Sequence, residues 1–239
     1  MINLNIQIED LISKNASDFE ISKVFKTYYK NYLASIDTTV ETTGGKDFFI
    51  KHTKHTDKFL IQLYKYILRK NFASHQPMST SIPITLVALG SYGREQLCIY
   101  SDIDILILYE NVQGYNLKKL MEEFITLAWD CGLKLGSRVH ELKEISEAVK
   151  EDITIKSSIL ESRMICGSKI LWCEYGNVLT KIRKTNQKEF VLKKLEEHKQ
   201  RLLKYPLKMQ PNIKDGYGGI RESNMMYWMA NILYGITNT

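Results

Sequence analysis

Two aspartates one residue apart, Asp102 and Asp104, are the side chains whose type and spacing most clearly suggest chemistry. Alternate side chains of a β-strand point to the same face, so both carboxylates should share a face while Ile103 and Ile105 enter the core. Adjacent carboxylates repel each other unless a cation neutralises them, and an all-oxygen pair suits Mg²⁺ bound together with substrate phosphates. The pair therefore predicts a magnesium site of the two-metal type used in phosphoryl transfer.

Gly90 and Ser91 end the apolar run that precedes these aspartates. Their small side chains would let backbone N–H groups and a hydroxyl approach the phosphates of a nucleotide. Arg94 is a further candidate for phosphate binding because its guanidinium fork matches phosphate oxygens, although a structural pair with Glu95 or another acid explains it equally well. The sequence thus predicts a cation site and a phosphate site side by side.

The hydrophobic pattern indicates the elements that must hold these residues. Apolar residues recur every three or four positions in the segments predicted as helices, whereas short, partly β-branched runs predict strands. The predicted elements are helices over 18–36 and 59–68, strands over 84–89 and 103–109 with a short helix over 94–97 between them, a helix over 117–128, a strand over 138–142 and helices from Glu144 onward. This order predicts a mixed α/β protein of the α+β type.

Three regions are expected along the chain. Residues 1–75 should form an N-terminal helical segment, residues 76–145 a small core with a mixed sheet, and residues 146–239 a C-terminal helical subdomain. The segment HQPMSTSIP marks the first boundary because its two prolines interrupt the helical pattern.

Composition narrows the possible functions. The 239 residues carry a formal net charge of +6 and are 44% hydrophobic, which is typical of a globular chain rather than a disordered one. The charge excess is mild and no aromatic-basic groove is recognisable, which disfavours a nucleic-acid partner. No apolar stretch approaches the roughly 20 residues of a membrane span, and the N-terminus lacks the pattern of a secretory signal. We therefore expect a cytoplasmic protein without a membrane partner.

The segments Gly90-Ser-Tyr-Gly-Arg-Glu95 and Tyr100-Ser-Asp-Ile-Asp104 resemble a known signature, GGYGRxEL…SDIDL. It belongs to the bacterial PII-protein uridylyltransferases, a branch of the nucleotidyltransferases of the DNA-polymerase-beta superfamily. Two later segments agree, Ala128-Trp-Asp-Cys-Gly-Leu-Lys-Leu-Gly136 and Pro211-Asn-Ile-Lys-Asp-Gly-Tyr-Gly-Gly-Ile-Arg221. The resemblance covers about residues 55–235 in matching order, which is more specific than any single motif.

The resemblance implies a polymerase-beta-type nucleotidyltransferase core. The implied reaction transfers UMP from UTP to a tyrosine of a PII-type signalling protein and releases pyrophosphate, as part of the regulation of nitrogen metabolism. By position, Asp102 and Asp104 would be the catalytic residues that carry Mg²⁺, in a two-metal site. Gly90 and Ser91 would bind the nucleotide phosphates, with Arg94 as a further nucleotide-binding residue.

The chain departs from the family pattern at several positions. Ser91 stands where the branch usually has a second glycine, although serine is normal across the superfamily. Glu141 could supply the third carboxylate that many superfamily members have, but a solvated or capping glutamate is the favoured interpretation. The full-length family also has a metal-dependent HD hydrolase domain and two ACT domains. The chain contains no His-Asp dipeptide, so we expect neither uridylyl removal nor glutamine sensing from these residues, which form a piece of a longer protein or a stand-alone relative.

Other interpretations stay open at this point. The same fold could transfer another nucleotide or use another acceptor, or it could serve as a catalytically silent regulatory module. Intact Asp102 and Asp104 speak against the silent module, because an acid pair without a cation is a cost without benefit. His52 and His55 have a spacing that could bind a transition metal, but an ordinary surface helix is favoured.

Overall fold

A computed structural model describes residues 2–43, 45–72, 77–78, 80–205 and 210–237. The chain divides into two compact units, one made of Met1–Leu142 with Ser162–Trp172 and the other of Lys143–Glu161 with Cys173–Thr239. The boundary expected near residue 76 lies outside the described residues, and the division into three regions stays a prediction.

The first unit combines long helices with a mixed sheet. Its elements are α1 (Ile2–Ser13), α2 (Asp18–Thr43), α3 (Lys46–Phe72), β1 (Ile84–Ala88), the single helical turn α4 (Gly90–Gly93), β2 (Ile103–Tyr109), α5 (Leu117–Asp130), β3 (Leu135–Glu141) and β4 (Arg163–Gly167). The described strands pair in the order β3-β2-β1-β4, with β1 antiparallel to both β2 and β4. Strands β2 and β3 are parallel, so they need a crossover connection, and α5 provides it.

One face of the sheet belongs to the main hydrophobic core of this unit. Ile105 of β2, Phe59 of α3 and Phe124 of α5 lie in the same buried cluster, and each is at most 1% exposed. The crossover helix α5 is capped by Asn116, the residue before it, whose side chain accepts a hydrogen bond from the N–H of Lys119 at 3.1 Å. This N-cap satisfies one of the free N–H groups at the start of α5. Burial and capping together fix the helix layer on which the sheet rests.

The second unit is helical within the described residues. Its elements are α6 (Ile145–Glu151), α7 (Ile153–Ile159), α8 (Lys169–Lys184), whose first residues belong to the first unit, α9 (Gln187–Lys204) and α10 (Ile220–Tyr234). The ammonium of Lys156 donates to the carbonyl of Thr185, just beyond α8, at 2.8 Å, where a cation is favoured by the helix dipole. Nε of Arg183 donates to Oδ1 of Asn231 at 3.0 Å, which joins α8 to α10.

The mixed α/β class predicted from the sequence is confirmed, with differences in detail. The hydrophobic pattern does not reveal β4, because this segment is only five residues long and becomes a strand by pairing with β1. The short helix lies at Gly90–Gly93 rather than over 94–97, since one turn is too short to show a period. Three N-terminal helices, not two, precede β1 within the described residues. None of the described helices is long and apolar enough to cross a membrane.

Candidate functional site

The pairing of β1 with β2 brings the Gly90-Ser91 turn next to Asp104. The residue after β1, Leu89, donates its backbone N–H to the carbonyl of Asp104 at 2.9 Å. Gly90 and Ser91 follow at once and begin α4. The first N–H groups of a helix have no acceptor within the helix itself. A turn of small residues therefore starts beside the beginning of β2, where both aspartates lie.

Both aspartates are exposed at this end of the sheet. Asp102 immediately precedes β2 and Asp104 is its second residue. Between and after them, Ile103 and Ile105 are only 3% and 0% exposed, as strand alternation requires. Carboxylates in contact with water keep most of their hydration, so these two exposed acids cost the fold little desolvation, and a cation would relieve their mutual repulsion.

Two glycines leave space for the carboxylate of Asp104. Gly136 of β3 pairs with Asp104 across the parallel ladder, and a Cβ atom on Gly136 would lie only 2.6 Å from Oδ1 of Asp104. A Cβ atom on Gly90 would lie 3.6 Å from Oδ2 of the same carboxylate. Gly90 also has a φ of +56°, a left-handed conformation that glycine adopts without strain. The carboxylate of Asp104 thus lies between β3 and the first residue of α4.

Ser91 and Arg94 are half-buried in and just after α4. The backbone N–H of Arg94 donates to the carbonyl of Gly90 at 3.0 Å and closes the helical turn. Its side-chain Nε donates to Oε1 of Gln96 at 3.1 Å. The side-chain amide of Gln96 therefore orients the guanidinium of Arg94, and the sequence did not suggest this partner. Arg94 lies only three and four residues after Ser91 and Gly90.

Glu141 lies far from the aspartate pair. In the parallel ladder Glu141 pairs with Tyr109, whereas Gly136 pairs with Asp104. Five residues of strand correspond to about 17 Å, and an odd number of steps places Glu141 on the opposite face of the sheet from Asp104. The residue of β3 directly beside Asp104 is a glycine, so Glu141 does not complete a three-carboxylate site in this structure.

The histidines of α3 are packed inside the unit rather than on a surface helix. His52 is 2% exposed, and its Nδ1 lies 2.8 Å from the hydroxyl of Tyr32. The ring of His55 stacks on that of Tyr32 with centroids 3.4 Å apart. Burial lowers the pKa of both histidines, that of His55 to about 4. Among the described residues, no group of three or more His, Cys, Asp or Glu side chains is arranged to hold a metal.

Sequence reasoning missed a contact that Asp57 makes next to the candidate site. The carboxylate of Asp57, a residue of α3, accepts hydrogen bonds from Tyr92 of α4 and Arg163 of β4. The two residues of the ion pair are 106 positions apart, and Arg163 lies on the strand that the pattern does not reveal. No local signal could have joined them.

The glycine-rich segment before α10 is a helix entry held by its own hydrogen bonds. Oδ1 of Asn212 accepts from the N–H groups of Lys214 and Asp215, at 3.0 and 2.8 Å. The guanidinium of Arg221 pairs with Asp215, with Nε 2.6 Å from Oδ1. Of the two basic residues of this segment, Arg221 is therefore engaged within the segment itself, whereas Lys214 is exposed.

Two family models match the chain. The model described as Nucleotidyltransferase domain matches residues 65–204, which is more than half of the sequence and includes both aspartates and the Gly90-Ser91 turn. The model described as GlnD PII-uridylyltransferase matches residues 189–239, which include the glycine-rich segment. The resemblance to the PII uridylyltransferases stated from the motifs is thereby confirmed.

Curated relatives agree with these matches. A bifunctional uridylyltransferase/uridylyl-removing enzyme of Pseudomonas aeruginosa (strain UCBPP-PA14) is 36% identical over 158 residues, 65% of this chain and 18% of the relative. Proteins of the same name from Pseudomonas putida (strain GB-1) and Pseudomonas fluorescens (strain SBW25) are 37% and 36% identical, over 65% and 67% of this chain. The aligned part spans 18% of the length of each of these relatives. Because the nucleotidyltransferase match extends over more than half of the sequence, this chain belongs to the nucleotidyltransferase family of enzymes.

Proposed function

We propose that this chain transfers UMP from UTP to a tyrosine hydroxyl of a PII-type signalling protein, with release of pyrophosphate. The exposed pair Asp102 and Asp104, beside the turn at Gly90, carries the proposal because it lies within the nucleotidyltransferase match. The relatives, which are named for uridylyltransferase activity, support UTP as the donor. A cytoplasmic location and a role in the regulation of nitrogen metabolism would follow from a PII-type acceptor.

The donor set at the aspartates fits Mg²⁺. Mg²⁺ commonly binds through one or two carboxylates and takes its other ligands from substrate phosphates and water, so a third protein acid is not needed. Asp102 and Asp104 would hold the metal, in the two-metal site that the family resemblance implies. Bound Mg²⁺ would neutralise charge on the triphosphate and lower the barrier for the attacking hydroxyl.

The remaining residues would bind and orient the nucleotide. The N–H groups at the start of α4 and the hydroxyl of Ser91 are donors for phosphate oxygens, and Gly90 leaves the backbone open to them. Arg94 would add a charge-assisted contact from the end of the same turn. In the transfer, the tyrosine oxygen bonds to the α-phosphorus and gives up its proton to solvent, while the α–β phosphoanhydride bond breaks and pyrophosphate leaves. Catalysis then consists mainly of positioning and charge stabilisation.

The proposal can be tested by titrating UTP, ATP, GTP and CTP with Mg²⁺ into the wild type and into the double variant Asp102→Asn/Asp104→Asn. Asp10→Asn/Asp130→Asn is a matched control, because it removes the same charge from two exposed aspartates of the same unit. We expect Mg²⁺-dependent binding selective for UTP, reduced about 100-fold or more in the first variant and unchanged in the control.

Each other outcome has a definite meaning. Selective binding of another nucleotide would retain the chemistry but replace UTP as the donor. No metal-dependent binding by a folded wild type would overturn the proposal in favour of a silent module. Transfer of labelled UMP to a PII-type protein, and loss of the label when its acceptor tyrosine is changed to phenylalanine, would then test the acceptor.

A further inference from the structure

Asp57, Tyr92 and Arg163 form a polar cluster against α4. The guanidinium of Arg163 donates from Nη1 to Oδ2 of Asp57 at 2.9 Å and from Nη2 to Oδ1 at 3.1 Å. The hydroxyl of Tyr92 donates to Oδ1 of the same carboxylate at 2.6 Å. Nη2 of Arg163 also donates to the backbone carbonyl of Tyr92 at 3.3 Å. Tyr92, the third residue of α4, is thus held at both its backbone and its hydroxyl.

The α4 turn needs such external support. A single helical turn is unstable alone, because its nucleation cost is not repaid by further hydrogen bonds. Residues with positive φ also bracket the turn, Gly90 at +56° and Glu95 at +59°. For a non-glycine residue such as Glu95 this conformation costs about 1–2 kcal/mol, and it persists only where surrounding contacts determine it. Tyr92 is completely buried, so its hydrogen bonds to Asp57 and Arg163 can restrain the α4 turn.

Stability alone is a poor explanation for a charged cluster at this place. The side chains of Arg163 and Asp57 are only 26% and 15% exposed. A largely buried ion pair gains little over well-packed apolar residues of similar volume, although removing one partner is costly. Burial opposes the charge of Arg163, but the hydrogen bonds and charge of Asp57 outweigh this and raise the pKa of the guanidinium. What the pair does provide is a fixed geometry, because a bidentate contact has directional bonds.

We propose that Asp57, Tyr92 and Arg163 are positioning residues that fix Gly90 and Ser91 against the carboxylate of Asp104 and thereby set the affinity of the site for a nucleoside triphosphate. The cluster joins α4 to both α3 and β4, through the hydroxyl of Tyr92 and through its backbone carbonyl. The inference rests on the proposed function, since it assigns the phosphates to this turn.

Tyr92→Phe is the mildest test, because it removes one hydroxyl and keeps the buried ring. Tyr66→Phe is a matched control in the same unit: Tyr66 is 6% exposed, and its hydroxyl donates to Oδ1 of Asp18 at 2.8 Å. We expect Tyr92→Phe to weaken the binding of UTP with Mg²⁺ about fivefold to tenfold, and Tyr66→Phe to leave it within about twofold. Urea unfolding should show similar small losses of stability in both variants.

Arg163→Lys provides a second variant, which keeps the charge but loses the bidentate fork and the contact with the carbonyl of Tyr92. Its affinity for UTP with Mg²⁺ should fall at least as far as that of Tyr92→Phe. Equal affinities in wild type, Tyr92→Phe and Arg163→Lys would overturn the inference. A parallel loss in Tyr66→Phe would do so as well, because the effect would then follow general stability.

Failure of the proposed function would be recognised separately, because the wild type would then bind no nucleoside triphosphate. In that case, the rate of amide hydrogen exchange over Gly90–Leu97 still tests whether Tyr92 holds the α4 turn in place. Faster exchange in this segment for Tyr92→Phe, but not for Tyr66→Phe, would support it. Unchanged exchange in Tyr92→Phe would refute it even in a protein that binds no nucleotide.

Discussion

Two aspartates next to α4, Asp57 and Asp104, show different uses of the same chemical group. The carboxylate of Asp57 has the hydroxyl of Tyr92 and the guanidinium of Arg163 as partners and is 15% exposed. The carboxylate of Asp104 is exposed at the start of β2, with space left for it by Gly90 and Gly136. One acid is held by a tyrosine and an arginine, whereas the other has glycines at two of its neighbouring positions.

The difference indicates what each acid can do. Asp57 has no need of a cation from solution, because a protein cation neutralises it, and its role is to hold structure. Asp104 lies two residues from a second exposed acid, Asp102, and such a pair favours a bound cation. The neighbours of an acid, more than the acid itself, therefore separate a structural carboxylate from a candidate metal ligand in this unit.

The largest expected difference between Asp57 and Asp104 is in the free energy of unfolding when each is changed to asparagine. Asp57→Asn should lower the free energy of unfolding by about 2–3 kcal/mol, because it leaves the largely buried guanidinium of Arg163 without its counter-charge. Asp104→Asn should change it by no more than about 0.5 kcal/mol, because the carboxylate is exposed. Urea denaturation measures both, and similar losses in the two variants would show that the contrast is wrong.

The next largest expected effect is on nucleotide binding, when Gly136 beside Asp104 is changed to alanine. In Gly136→Ala the new Cβ atom would lie 2.6 Å from Oδ1 of Asp104, so the carboxylate must move and the binding of UTP with Mg²⁺ should weaken about tenfold. Gly176→Ala is the control, because nothing lies within 4 Å of the added atom and α8 would favour alanine. Isothermal titration compares the two, and equal affinities would mean that the space beside Asp104 has no role in binding.

The histidines that α3 carries near Asp57 predict that the stability of the protein depends on pH. His52 and His55 lie on α3 with Asp57, and burial lowers their pKa from 6.5, that of His55 to about 4. The unfolded chain therefore binds more protons than the folded one between about pH 6.5 and 4, so stability falls as the pH falls through this window.

Unfolding by urea at pH 7 and pH 5 measures this effect. We expect a loss of about 1 kcal/mol for the wild type, after allowance for partial solvent screening of His55. The loss should be smaller in His55→Gln and should persist in His140→Gln, a histidine of β3 outside the stacked group. If His55→Gln lost as much stability between pH 7 and pH 5 as the wild type, His55 would not be a cause of the pH dependence.

The sequence alone was enough for the class of fold and for the burial of Ile103 and Ile105 beside the two acids. Both depend on local patterns: strand alternation buries Ile103 and Ile105 and leaves the neighbouring acids outside, and this holds whatever the strand pairs with. The motif around Gly90 was recognisable for the same reason, because a chain turn between two apolar runs is a local feature. The roles of these residues stay predictions until the titrations are done.

Only the tertiary structure decided which residues stand beside the acids. The register of β3 places Gly136, not Glu141, next to Asp104, and a register depends on the pairing of distant segments. The cluster at α4 likewise joins Asp57 to Arg163, which lie far apart in the chain. Local patterns determine the face on which a side chain lies, whereas its neighbours come from long-range packing, and in this chain those neighbours distinguish a structural acid from a candidate metal ligand.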